Sequence, residues 1–284
     1  MAWKELVAIP NADVQGARPI ADMTANLILR PRRARTWRSV AALILREMST
    51  TYGRSPGGYL WAVVEPLAVI ALLSFAFSLA FKAPSIGTSF PLFYATGYLP
   101  YMLFHDVSSK TALAIRFSRP LLHFSAVTWF DVLLARFLLN LFTHLAVGAL
   151  VLTAMIAVEA QATPDMALVL RAVAMAGLLA LAIGMMNAFL FLAFPAWERV
   201  WLIVTRPLFI ISGVLFLFED VPSDFRDMLW FNPLFHVTGE MRRAFYATYD
   251  ASYVSPSYAF GVSVALLAIS LLLLSRHATG MLHK

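Results

Sequence analysis

Glu65 and Arg206 are the residues of this chain that most need a chemical reason. Each stands inside an apolar tract and directly before a proline, as Glu65-Pro66 and Arg206-Pro207. A charged side chain at mid-membrane depth costs about 2.5–3.5 kcal/mol, which roughly six leucines at about 0.5 kcal/mol each offset. The two signs are opposite, and each residue lies about eight positions into its tract. At about 1.5 Å per residue both sit on the order of 12 Å from one boundary. The placement predicts either an ion pair between two helices or one polar path lined by both. Arg136, Asn140, His144 and Gly148 recur every four residues and so share one helix face, turned toward protein or water rather than lipid. No second histidine or carboxylate stands at ligand spacing from His144, so no metal site is expected. Glu219, Asp220, Asp224 and Asp227 crowd a turn-rich stretch. They would be the acids of an enzyme acting on lipid-linked sugar, but no nucleotide-sugar motif accompanies them, and a solvated loop is the reading adopted. No catalytic residue is assigned.

The chain has no GxxxxGK[ST] and no glycine followed directly by lysine, so it cannot cradle ATP phosphates in the P-loop manner. Without cysteine, neither a disulfide framework nor a thiolate metal site is available. The net charge is +6 and the isoelectric point is near 9.8. Most of that excess is expected to satisfy the positive-inside rule and to meet anionic headgroups rather than nucleic acid.

The elements that must position these residues follow from composition. Of the 284 residues, 60% are hydrophobic and 13% charged, the mean hydropathy is +0.74, and the charges are bunched between apolar tracts. These are the marks of an all-α membrane protein. Tracts near 58–81, 91–113, 129–157, 166–194, 200–218 and 256–275 are long enough to cross about 30 Å of hydrocarbon, giving six transmembrane helices. Pro100 and Pro207 interrupt the second and fifth. Lys4, Arg18, Arg30, Arg32, Arg33, Arg35, Arg38, Arg46 and Arg54 precede the first span, which places the N-terminus in the cytoplasm. Six spans return the C-terminus to the same side. The first 30 residues lack the apolar core and cleavage site of a secretory signal, so no cleavage is expected.

Three connecting segments stand out. Residues 35–52 form an amphipathic interface helix, with Trp37, Val40, Ala41, Ile44 and Met48 on its apolar side. Arg46 and Glu47 are placed to meet a cytoplasmic partner. The helix leads through a Ser-Pro-Gly-Gly turn into the first span. A second cytoplasmic piece, about 111–124, is a helix-like run broken at Arg119-Pro120, exposed and joined to two spans. A third, about 219–255, lies outside and mixes Phe225, Trp230, Phe231 and Phe235 with acids and arginines. It reads as short re-entrant or interfacial helices between helices 5 and 6. In the fourth span, Ala172, Ala176, Ala180, Gly184 and Ala188 form a small-residue stripe that permits close helix approach.

The runs LREMSTTYGRSPGGYLWAVVEPL, SRPLLHFSAVTWFDVLLAR and RPLFIISGVLFLFEDVPSDFRDMLWFNPLFHVTGEMRRAFY together resemble the ABC-2 type permeases that export bacterial surface polysaccharides. Within that group the capsular-polysaccharide branch, the KpsM type, is the most similar. The resemblance covers roughly 35–275 and leaves the cytoplasmic segment 1–34 without a role. It implies a homodimeric permease in the bacterial inner membrane. Two copies of a separate P-loop ATPase would use ATP and Mg beneath it, and this chain would bind no cofactor of its own. The substrate would be a lipid-linked polysaccharide, with a periplasmic adaptor and an outer-membrane export protein as further partners. The transmembrane domain would span 57–276, with 111–124 as coupling helix. ATPase-coupling contacts are then expected from Arg46, Glu47, Lys110, Arg116, Phe117 and Arg119. Residue type and position further suggest a channel lined by Tyr59, Trp61, Glu65, Arg206, Phe209, Phe216, Trp230 and Phe231. O-antigen or teichoic acid export, an ion-coupled carrier using Glu65 or His144, and a membrane enzyme remain the alternatives.

Overall fold

The structure, a computed structural model, describes residues 32–51, 58–123, 127–158 and 163–282. Ten α-helices follow one another without a strand among the described residues. They are α1 (Arg32–Thr51), α2 (Gly58–Ala80), α3 (Phe90–Ala112), α4 (Ala114–Phe117), α5 (Trp129–Val158), α6 (Met166–Ala193), α7 (Trp197–Ile210), α8 (Ser223–Trp230), α9 (Pro233–Phe245) and α10 (Pro256–Leu282). Short 3-10 turns occupy Arg119–His123 and Phe218–Asp220. The N-terminal segment up to Pro31 and most of the Ser-Pro-Gly-Gly turn lie outside the described residues.

Four helices are long and apolar enough to cross a membrane: Leu60–Ala80 of α2, α5, α6 and Pro256–His277 of α10. The second expected span is α3, whose 23 residues extend about 35 Å without a break at Pro100. Its polar content (Thr96, His105, Asp106, Ser108, Lys110) is tolerable because α3 is the most enclosed helix, packed by α2, α5, α6 and α9. A helix shielded from lipid need not be uniformly apolar.

The small-residue stripe does what its spacing predicts. Ala172, Ala176, Ala180, Gly184 and Ala188 are all buried, and α6 packs most extensively against α3 and α10. A Cβ at Gly184 would meet Thr111 Cβ at 2.8 Å and the Ser108 carbonyl at 3.0 Å. Gly184→Val is therefore expected to force α3 and α6 apart, costing about 1–3 kcal/mol as overpacking and lowering the unfolding temperature of the detergent-solubilised protein. Gly148→Ala, at a position open for 4 Å around the added carbon, is the control and should leave that temperature unchanged.

The fifth tract departs from expectation. Its helix, α7, stops at Ile210 instead of continuing to 218, and its 14 residues reach only about 21 Å. The chain then unwinds through 211–217, with Gly213 at φ +73°. Irregular backbone at membrane depth persists only where protein satisfies its polar groups, and here α9 supplies the partners. Asn232 Nδ2 donates to the Ile211 carbonyl at 2.6 Å and Thr238 Oγ1 to that of Ser212 at 2.9 Å. Arg242 donates to the carbonyls of Val214 and Phe216, both at 3.0 Å. In α9 itself every residue but Pro233 and Arg243 is buried. This short helix is thus a re-entrant piece of the kind expected between the last two tracts. Sequence periodicity misses the early stop because the apolar run Phe209–Phe218 has a helical composition, and the break is imposed by partners thirty residues downstream.

Candidate functional site

One end of the bundle gathers α1, the segment 113–123 and the first turns of α5 and α7. Between α3 and α5 the chain forms α4 and a 3-10 turn rather than one coupling helix, because Pro120 cannot extend a helix through Arg119. Ala114 and Ile115 anchor the segment in a core with Val132, Leu133, Met185, Ala188 and Leu274. That anchoring leaves Arg116, Phe117, Arg119 and Pro120 exposed.

Two contacts tie this exposed segment to its neighbours. Arg116 NH1 meets Glu198 Oε2 in the first turn of α7 at 2.6 Å. The Phe117 ring lies under the Arg136 guanidinium of α5, 4.7 Å from carbon to centroid, and the same guanidinium pairs with Glu47 of α1 at 3.1 Å. Arg136 is therefore the junction of three elements. Its Nε and NH1 have no hydrogen-bond acceptor among the described residues. Glu47, expected to face a partner, is instead turned inward to this arginine, which the four-residue spacing of Arg136, Asn140 and His144 had placed on a protein-facing surface. Arg46 remains exposed, beside Arg38 and Ser39 in a cleft closed by Leu121 and Val127.

Just inside this end, Asp106 of α3 collects three cationic or imidazole groups: His105 at 3.2 Å, His144 at 3.1 Å and Lys110 at 3.8 Å. Lys110 thus folds back along its own helix. The other ring nitrogen of His144 faces the Asn140 carbonyl at 2.9 Å. Both nitrogens of His144 look at acceptors, an arrangement that the doubly protonated imidazolium satisfies completely. The pair pins the last turns of α3 to the middle of α5. Asp106 went unrecognised in the sequence because nothing in its own helix marks a residue 38 positions away as its partner.

Of the expected channel residues, the Tyr59 side chain lies outside the described part. Trp61 is 63% exposed, and Glu65 is exposed as well. Arg206 is exposed on α7, and among the described residues no ion pair joins it to Glu65. Within one chain the pair expected from sequence does not form, because α2 packs on α3 and α5 whereas α7 packs on α6. Phe209 stands edge-on to Tyr98 and Tyr101 of α3, at 6.3 and 5.3 Å between centroids. Those tyrosines extend the aromatic surface beyond the residues legible in sequence. Phe216 rests on Phe235 at 6.0 Å. Trp230 is held by Tyr258 and His236, and its indole donates to the Tyr253 carbonyl at 3.1 Å. Its neighbour Phe231 is 66% exposed.

The acids of the 219–227 stretch brace the loop. Asp220 accepts from the Leu217 amide at 3.1 Å, and Asp224 from the Ser223 hydroxyl at 3.1 Å. Tyr249 donates to Glu219 at 2.9 Å. Burial, reinforced by Tyr253 and Glu219 alongside, holds the Tyr249 phenol well above its usual range, so it stays a neutral donor to that carboxylate. Deeper in, Arg171 of α6 pairs with the fully buried Glu240 of α9, which Arg243 also approaches at 3.6 Å. Among the described residues no group of three or more His, Asp or Glu side chains is placed to hold a metal ion.

Known proteins share this arrangement of sequence. The polysialic acid transport protein KpsM of Escherichia coli is 30% identical over 246 residues, 86% of this chain and 95% of that protein. The capsule polysaccharide export inner-membrane protein CtrC of Neisseria meningitidis serogroup B is 25% identical, covering 86% of this chain and 92% of its own. The capsule polysaccharide export inner-membrane protein BexB of Haemophilus influenzae has the same identity and coverage. The profile of the ABC-2 type transporter family matches residues 38–246, from the interface helix to the end of the re-entrant α9. With that match and KpsM-level identity along most of its length, the chain belongs to the ABC-2 type transporter family.

Proposed function

We propose that this chain is the membrane-spanning permease subunit of an ATP-driven exporter of capsular polysaccharide in the bacterial inner membrane. The observation that carries the reading is the exposed 113–123 segment. It is anchored by Ala114 and Ile115 and tied through Arg116–Glu198 and Phe117–Arg136–Glu47 to three helices, in a chain without a phosphate-binding loop of its own. A soluble ATPase pressing on such a segment would move α1, α5 and α7 together. The names of the relatives support capsular polysaccharide as the exported polymer.

In this reading the chain crosses the membrane six times, with α7 and the unwound 211–217 segment forming the fifth crossing and both termini in the cytoplasm. Residues 1–34, the interface helix 35–52 and the domain 57–276 are its three parts. Two copies assemble with two copies of a P-loop ATPase, which uses ATP and Mg, and this chain carries out no catalysis. A lipid-linked polymer passes along Tyr59, Trp61, Glu65, Arg206, Phe209, Phe216, Trp230 and Phe231, whose aromatic faces hold sugar rings without fixing their register. A periplasmic adaptor and an outer-membrane export protein receive it. Arg46, Lys110 and Arg119 complete the coupling surface around Arg116 and Phe117.

Arg116→Ala gives a direct prediction. As a half-exposed ion pair it contributes about 0–1 kcal/mol to stability, so the unfolding temperature should stay within a few degrees. Surface capsule, measured on whole cells, should nevertheless fall several-fold, and Glu198→Ala should match it. The subunit assignment itself is tested by purification in mild detergent from the native membrane. A stoichiometric P-loop ATPase is the expected companion, and its absence even under nucleotide trapping would overturn the reading.

A further inference from the structure

Glu65 and Arg206 carry opposite charges at matched depth, and within one chain each is left without the other. Ile44 and Met48 of α1 lie beside Ala62 and Val63 along one cleft, and α1 is held by Arg136 of α5 near the segment whose Arg116 meets Glu198 at the start of α7. The N-terminal ends of α2 and α7 are therefore at the same end of the bundle. From those ends Glu65 is about 10 Å along α2 and Arg206 about 14 Å along α7. Both are exposed, and both are surrounded by exposed apolar side chains. On α2 these are Leu60, Trp61 and Leu72, and on α7 they are Leu202, Ile203 and Ile210. A polar headgroup sits at a membrane boundary, too far away to serve charges at this depth. An apolar face bearing one buried-depth charge is complete only against a surface of the same kind with the opposite charge.

We propose that the occupant is a second copy of this chain: α2 of one copy packs on α7 of the other, with Glu65 facing the other copy's Arg206, and the same pair repeats across the two-fold axis. A two-fold interface is reciprocal by construction, so one surface bearing both residues satisfies all four charges. The proposal rests on the two-copy transporter reading above and adds to it which faces meet and which residues lock them. It also brings Trp61 and Phe209 to the junction, so that a path along them is walled by both copies and incomplete in one.

The absence of cysteine makes the test clean. Glu65→Cys in one tagged copy and Arg206→Cys in a differently tagged copy are expressed together in membranes. A short thiol-to-thiol crosslinker is used, because an ion pair of such long side chains holds the Cα atoms beyond the roughly 7 Å that a disulfide can bridge. A linked species carrying both tags is expected, and neither cysteine alone should give it. Links formed only inside a single E65C/R206C chain, or no link at all, would overturn the proposal. In parallel, E65R and R206E should each weaken two-copy assembly at least tenfold, and the double reversal should restore it. A double reversal no better than either single change, or singles that assemble normally, would also overturn it. Recovery of the ATPase is scored in the same preparations. ATPase recovered without the mixed-tag link sinks the interface and spares the transporter reading, whereas the link without ATPase sinks the transporter reading and spares the interface.

Discussion

Replacing Arg242 with methionine is expected to lower the unfolding temperature of the solubilised protein by roughly 5–10 °C, the largest stability loss of any single change considered for this chain. The guanidinium is 1% exposed, lies 4.2 Å above the Phe93 ring and donates to the Val214 and Phe216 carbonyls of the unwound segment. Methionine removes the cost of burying a cation, which offsets part of the loss. It also leaves two carbonyls unsatisfied where water does not reach, at about 1–3 kcal/mol each. The net is about 2–4 kcal/mol, and a domain of this size loses about 2–4 °C per kcal/mol. Arg242→Lys should recover less than half, because a point charge on a flexible stem does not span two carbonyls as the planar fork does. Arg243→Met, one position along but partly exposed and only 3.6 Å from Glu240, should shift the temperature far less. A scan of melting temperatures for the three variants checks the ordering. If Arg242→Met melted like the parent, α9 would not be what holds 211–217 open.

The second large effect is functional rather than thermodynamic. Arg136→Leu should cut surface capsule at least tenfold, equivalent to about 1.4 kcal/mol in a rate-limiting step, while the ATPase still co-purifies and still hydrolyses ATP. The side chain is the junction between Phe117, Glu47 and α5. Without it the exposed segment keeps its docking residues and loses its tie to the interface helix. Glu47→Arg combined with Arg136→Glu should recover part of the export, because the α1–α5 tie is restored although the contact on Phe117 is not. Hydrolysis and export falling together would mean that Arg136 supports ATPase docking itself, and the relay would be wrong.

How far these features could be read from the chain depended on whether their cause was local. The Ala172–Ala188 stripe and the Arg136–Asn140–His144 face are set by helical spacing alone, and both are buried or protein-facing as spacing requires. The interface helix runs Arg32–Thr51 against an expected 35–52. What escaped was imposed by distant partners. The stop of α7 at Ile210 depends on Asn232, Thr238 and Arg242. Asp106 acquires its role from His144, and Glu47 turns inward because Arg136 is there to meet it. Opposite charge and equal depth suggested that Glu65 and Arg206 meet, but depth does not say which helices are neighbours. That question belongs to packing, and α2 and α7 lie on different partners.

The most direct test of the whole account is transport in inverted inner-membrane vesicles containing this chain and its companion ATPase, loaded with lipid-linked capsular polymer on the outer face. The account predicts that polymer becomes protected from added glycosidase when ATP and Mg are supplied, and that protection persists when the proton gradient is dissipated with ATP maintained. Protection that collapses with the gradient while ATP remains, or that needs no ATP, would contradict it and make the chain an ion-coupled carrier.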